Sequence, residues 1–94
     1  MKVFGMDEFT VVAKKEVYEL AKKGVDKTDD VKFSINDVYI VWSCYILGNM
    51  KAMLSTNIPD GRYYEVTYNV AKKELYIDTY AKINNTAQYI ECYK

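Results

Sequence analysis

Between residues 37 and 80 the hydrophobic positions recur every second residue through three successive turn signals, the mark of neighbouring strands in one antiparallel sheet. The pattern predicts strands at 38–47, 50–57, 62–70 and 74–83. The clearest turn is Ile58-Pro59-Asp60-Gly61-Arg62, where Pro suits the first turn position and Gly the left-handed one. That turn predicts Thr56 opposite Tyr64, Leu54 opposite Val66 and Ala52 opposite Tyr68. A four-residue turn at 70–73 then sets Tyr68 against Leu75 and Val66 against Ile77. Both turns place the apolar residues on one face and Lys51, Ser55, Glu65 and Thr67 on the other.

The ends of this pattern leave choices. At Gly48-Asn49 a two-residue loop sends Ile40 and Trp42 to the polar face. A three-residue loop sends Ile40, Trp42, Cys44 and Ile46 inward and Tyr39, Ser43 and Tyr45 outward. Burying the indole and two isoleucines favours the longer loop by several kcal/mol. After Asn84-Asn85, the alternation of 87–93 predicts a fifth strand pairing Ile77 with Cys92 and Thr79 with Ile90. A helix there would carry two asparagines and a threonine badly.

Ahead of the sheet the spacing changes to that of a helix of about seventeen residues. Phe9, Val12, Ala13, Val17, Leu20 and Ala21 share one side, Thr10, Lys14 and Lys15 the other. Asp7 is the expected cap, with Glu8 in the first turn, Lys22 and Lys23 at the end and Gly24 as a left-handed stop. The expected fold is therefore α+β: an N-terminal amphipathic helix packed on one face of a four- or five-stranded antiparallel meander sheet. Residues 1–94 form a single small domain, in which 1–6 are an arm or an edge strand.

Composition narrows the function more than it identifies it. Thirteen basic and thirteen acidic residues cancel, which disfavours a protein whose main partner is a phosphate backbone. No apolar run approaches the roughly 18 residues of a membrane span, and the first five residues are too short and too soon polar for a signal peptide. The expectation is a cytoplasmic protein without a membrane partner. Cys44 and Cys92 lack metal-site spacing and are expected as buried reduced thiols. The oxygen-rich loop Asp26-Lys27-Thr28-Asp29-Asp30 lacks the glycine and terminal glutamate of a calcium loop and reads as a turn.

Catalysis is not expected. The chain has no histidine, and neither a phosphate loop nor a nucleophile elbow occurs. No catalytic residue, metal or cofactor is expected. One constellation does stand out: the register lines up Glu65, Asp78 and Glu91 on the polar face, with Tyr63, Tyr80 and Tyr89 in one flanking row and Thr67, Tyr76 and Tyr93 in the other. Opposed carboxylates repel by a few tenths of a kcal/mol or more, so a sheet that carries them has a cost in search of a reason. A docking face supplies one, with tyrosines for contact and acids for a partner's Lys or Arg. The alternative is that tyrosine merely suits a half-solvated strand and Lys51 or Lys82 satisfies the acids.

Asp26-Lys27-Thr28-Asp29, Asp37-Val38-Tyr39-Ile40-Val41-Trp42-Ser43-Cys44, Lys51-Ala52-Met53-Leu54-Ser55-Thr56 and Pro59-Asp60-Gly61-Arg62-Tyr63-Tyr64-Glu65-Val66-Thr67-Tyr68-Asn69 together resemble a family of small uncharacterised proteins encoded by phages and prophages of Gram-positive bacteria. The likeness covers about residues 7–83. Departures are Val70-Ala71 where a glycine turn is usual, Tyr45 where lysine is common, and additional ends. The family has no assigned activity, so the resemblance implies only a setting: a phage accessory protein that binds and redirects a bacterial host protein. The partner-binding residues expected on that basis are Tyr63, Glu65, Tyr76, Asp78, Tyr80, Tyr89 and Glu91. Competing expectations are a single-strand nucleic-acid binder using the tyrosines with Lys51, Arg62, Lys72 and Lys73, disfavoured by the acids, and a protein that sequesters a nucleotide signal. The exposed aromatics also admit a homo-oligomer.

Overall fold

The computed structural model describes residues 5–24, 32–59 and 61–91. Helix α1 spans Met6–Lys22. A 3₁₀ turn at Ile35–Asp37 leads into strands β1 (Val38–Ile46), β2 (Asn49–Thr56), β3 (Arg62–Asn69) and β4 (Glu74–Ala81). They form one antiparallel meander in the order β1-β2-β3-β4. The α+β expectation holds, with four strands among the described residues. The expected loop at 26–30, Cys92 and Tyr93 lie outside the described residues, as do residues 1–4.

The helix packs over β1, β2 and β3 because its apolar stripe and theirs are both otherwise wet. Phe9, Ala13, Val17 and Ala21 meet Val38, Met50, Ala52, Leu54, Tyr64 and Val66, and all are buried. Tyr18 leaves that stripe to stack on Phe33, with ring centroids 5.2 Å apart. Leu20, expected on the buried stripe, is 38% exposed. The helix starts one residue before Asp7, so Gly5 is its cap and Asp7 stands in the first turn, where a carboxylate still suits the dipole. At the other end Lys23 is right-handed helical, and Gly24 does not take the left-handed stop.

The middle hairpin has the expected faces and a different register. Leu54 pairs with Tyr64, Ala52 with Val66 and Met50 with Tyr68, a slip of two residues that preserves which side chains look inward. The slip arises because the loop is longer than a three-residue turn. Asn57 donates its N–H to Asp37 O at 3.1 Å, and Ile58 donates to Thr56 Oγ1 at 3.2 Å, so β2 leaves its ladder with β3 early. Gly61 takes the expected positive φ, 68°. The last hairpin matches in full, with Tyr68 against Leu75, Val66 against Ile77 and a turn at 70–73.

The first hairpin corrects the preference for a longer loop. Its turn has two residues, Leu47 and Gly48, with φ of 50° and 78°, the double left-handed geometry of a type I′ turn. Trp42 therefore faces with Met53, Cys44 with Lys51 and Ile46 with Asn49 on the polar side. A bulge between Ile40 and Trp42 then switches the parity, so that Ile40 pairs with Leu54 and packs against the core as expected. An inward turn would give Trp42 little burial, because the far half of β1 stays exposed beyond the helix. Tyr45, on the core side opposite Met50, is still 61% exposed, so turning the strand over would have buried little more.

The expected fifth strand does not form among the described residues. Residues 82–91 have neither strand nor helix structure and are exposed throughout.

Candidate functional site: the open face of the sheet

With the helix on one side, no other element among the described residues covers the opposite side of the meander. Strand alternation brings four rows of side chains across it. Tyr39 lies beside Ser55, and Tyr63 beside Tyr80. Trp42 lies beside Met53, then Glu65, then Asp78. Cys44 lies beside Lys51, then Thr67, then Tyr76. Ile46 lies beside Asn49, then Asn69, then Glu74. Tyr39, Trp42, Tyr63, Tyr76 and Tyr80 are between 39% and 49% exposed. Their placement follows from β-branched and aromatic residues filling alternate positions of a half-solvated strand.

The structure brings together five of the seven expected residues: Tyr63, Glu65, Tyr76, Asp78 and Tyr80. Tyr89 and Glu91 do not join them, because they sit in the segment that forms no fifth strand. Trp42, Met53 and Cys44 are additions. The sign of them in the sequence is the unbroken apolar run from Val38 to Trp42, which cannot alternate and so marks a bulge. Cys44, expected buried, is exposed and free on this face.

The electrostatics of the face are lopsided. Glu65 and Asp78 are direct cross-strand partners, and Lys51 Nζ lies 3.5 Å from Glu65 Oε1. That contact is partly exposed and compensates one acid of the two. The Tyr76 hydroxyl donates to Glu74 Oε2. This hydrogen bond, with partial desolvation and the nearby negative charge, holds the Tyr76 phenol above its ordinary value. Ser55 belongs to the same face by parity but is buried, its hydroxyl donating to Arg62 O at 3.0 Å. Lys72 and Lys73 lie in the β3–β4 turn, beyond the end of the face.

What the arrangement offers is a broad, flat contact surface of aromatic side chains with carboxylates between them. A shallow hollow near Phe33, Asp37 and Pro59 opens on a different part of the molecule. Among the described residues no three His, Cys, Asp or Glu side chains come together as a metal site. No helix among them is long and apolar enough to cross a membrane.

No curated protein and no solved structure is significantly similar to the chain. Residues 10–90, which include the helix from Thr10 onward and the whole sheet, match the model of a family of unknown function, DUF6275, and the chain belongs to that family.

Proposed function

We propose that this protein is a non-enzymatic binding module whose open sheet face takes a segment of another protein carrying basic and apolar side chains. The observation that supports this is the gathering of Tyr39, Trp42, Tyr63, Tyr76 and Tyr80, all substantially exposed, around the carboxylates of Glu65, Asp78 and Glu74. An indole and four phenols partly exposed together on one face are the kind of aromatic cluster that marks a contact surface. Rigid aromatic side chains with polar tips are effective contact residues, and the opposed acids gain most when a cation lies between them. The sequence resemblance implies the setting, a phage or prophage accessory protein in a bacterial cell, and hence a host protein that is inhibited or redirected, for example within a defence system.

Trp42 also favours a second reading, in which single-stranded nucleic acid stacks its bases on the face. The carboxylates oppose it. One experiment separates the two: the immobilised chain is exposed to bacterial lysate as wild type, as Trp42→Ala/Tyr80→Ala and as Lys15→Ala, the last on the solvent side of the helix. A protein with a basic surface should be retained by wild type and Lys15→Ala, lost from the double variant, and released progressively by salt. Equal retention by all three overturns the reading. Retention of a labelled oligonucleotide with a steep salt dependence would replace it with the second.

A further inference from the structure

The two edges of the sheet are not alike. β1 is interrupted by a bulge at Val41, a common device for blunting an edge against other chains. β4 has none: Glu74–Ala81 contains no proline, glycine or lysine and keeps an unbroken register with β3 over eight residues. Among the described residues no backbone bond from elsewhere reaches its outer side, and residues 82–91 do not fold back on it.

The direction of its free groups follows from one bond. Lys82 donates its N–H to Gly61 O at 3.0 Å. In an antiparallel ladder the alternation then turns the amides of residues 74, 76, 78 and 80 toward β3, and those of Leu75, Ile77 and Thr79 toward the empty edge. We propose that this edge pairs with the same edge of a second copy, antiparallel about a two-fold axis at Ile77, continuing the sheet across both molecules.

Charge selects that register. An axis at Tyr76 would set Glu74 against Asp78 of the second copy, and an axis at Asp78 would set that carboxylate against itself. Placing the axis at Ile77 sets Asp78 against Tyr76 and Glu74 against Tyr80, acids against hydroxyls. It also uses the free groups in full: Ile77 exchanges both bonds with its counterpart, and Leu75 with Thr79. Moving the axis to Thr79 keeps the charges apart but pairs fewer strand residues. The helix covers β1 to β3 and leaves Leu75 and Ile77 half-buried at the rim of the core. Ile77 meeting Ile77 of the second copy extends that core across the seam. The two net charges are zero, so the copies do not repel as wholes.

The test is the mass of the full chain in solution, by light scattering after gel filtration. Wild type should give twice 11.0 kDa. Thr79→Pro removes an N–H that the single chain does not use, and Tyr76→Glu sets a second carboxylate against Asp78 across the seam. Each should lower the mass to that of one chain with the circular dichroism unchanged. Adding Asp78→Lys to Tyr76→Glu should restore the dimer, and Trp42→Ala, at the far edge of the open face, should leave it intact. A wild type that stays single at its highest soluble concentration overturns the proposal. So does a dimer that survives Tyr76→Glu, or one that Trp42→Ala dissociates. If Thr79→Pro unfolds, the charge pair decides alone.

Discussion

Glu65 and Asp78 stand directly opposite one another on β3 and β4, on the face the helix does not cover. Among the described residues only Glu65 of the two is near a cation, with Lys51 Nζ 3.5 Å away. The sheet thus keeps one carboxylate of the pair uncompensated at a position where a neutral or basic side chain would suit the fold better.

Asp78→Asn should therefore raise stability, by about 0.5 kcal/mol on the scale of cross-strand like-charge pairs. Urea unfolding at low salt reads the change, and added salt should shrink it. The same substitution should weaken capture of the partner. Stability and binding moving in opposite directions is what a functional acid pair requires.

Leu47 occupies the left-handed region with φ 50° and is 95% exposed. A leucine there carries strain of roughly 1–2 kcal/mol with no burial in return. Asparagine before glycine is the preferred pair for this turn. Leu47→Asn should stabilise the protein by about 1 kcal/mol, seen as a higher denaturation midpoint with the m-value unchanged.

Tyr76 gives a pH signature. Its phenol titrates above the ordinary 10.0 because it donates to Glu74. A folded-state value above the unfolded one means the contribution is complete below the unfolded value and is lost as pH rises through the folded one. Glu74→Gln should move the Tyr76 titration down toward its ordinary range. Ultraviolet phenolate absorbance, compared with Tyr76→Phe to isolate the one ring, measures this, and an unmoved titration would remove the hydrogen bond as the cause.

Leu54 is fully buried at the centre of β2, between Ile40 and Tyr64 in the ladder and within the core that Phe9 and Val17 help to form. Leu54→Ala should cost about 3 kcal/mol through lost burial and the cavity left behind. In a domain this small that is a large share of the total. Loss of the near-ultraviolet signal at lower denaturant checks it.

How much of this was legible in the chain depends on the range of the interaction. Period-two alternation through the 50–80 segment was enough to set the two faces of β2, β3 and β4, because a one-residue slip would have wetted Leu54 and Val66. The same local logic placed the helix and put Tyr63, Glu65, Tyr76, Asp78 and Tyr80 on one side. Trp42 was different. Its face depends on a bulge at Val41 and on whether the helix extends over the far half of β1, and neither is a property of neighbouring residues. Tyr89 and Glu91 were likewise decided at a distance: a turn at Asn84-Asn85 suits a hairpin, but a strand forms only where its side chains find a layer to cover, and the helix stops short of β4. The amino-acid order alone determined which side chains alternate together, since that is set by backbone geometry. Only the tertiary structure decided how far the helix reaches across the sheet, and so which aromatic side chains stay in water.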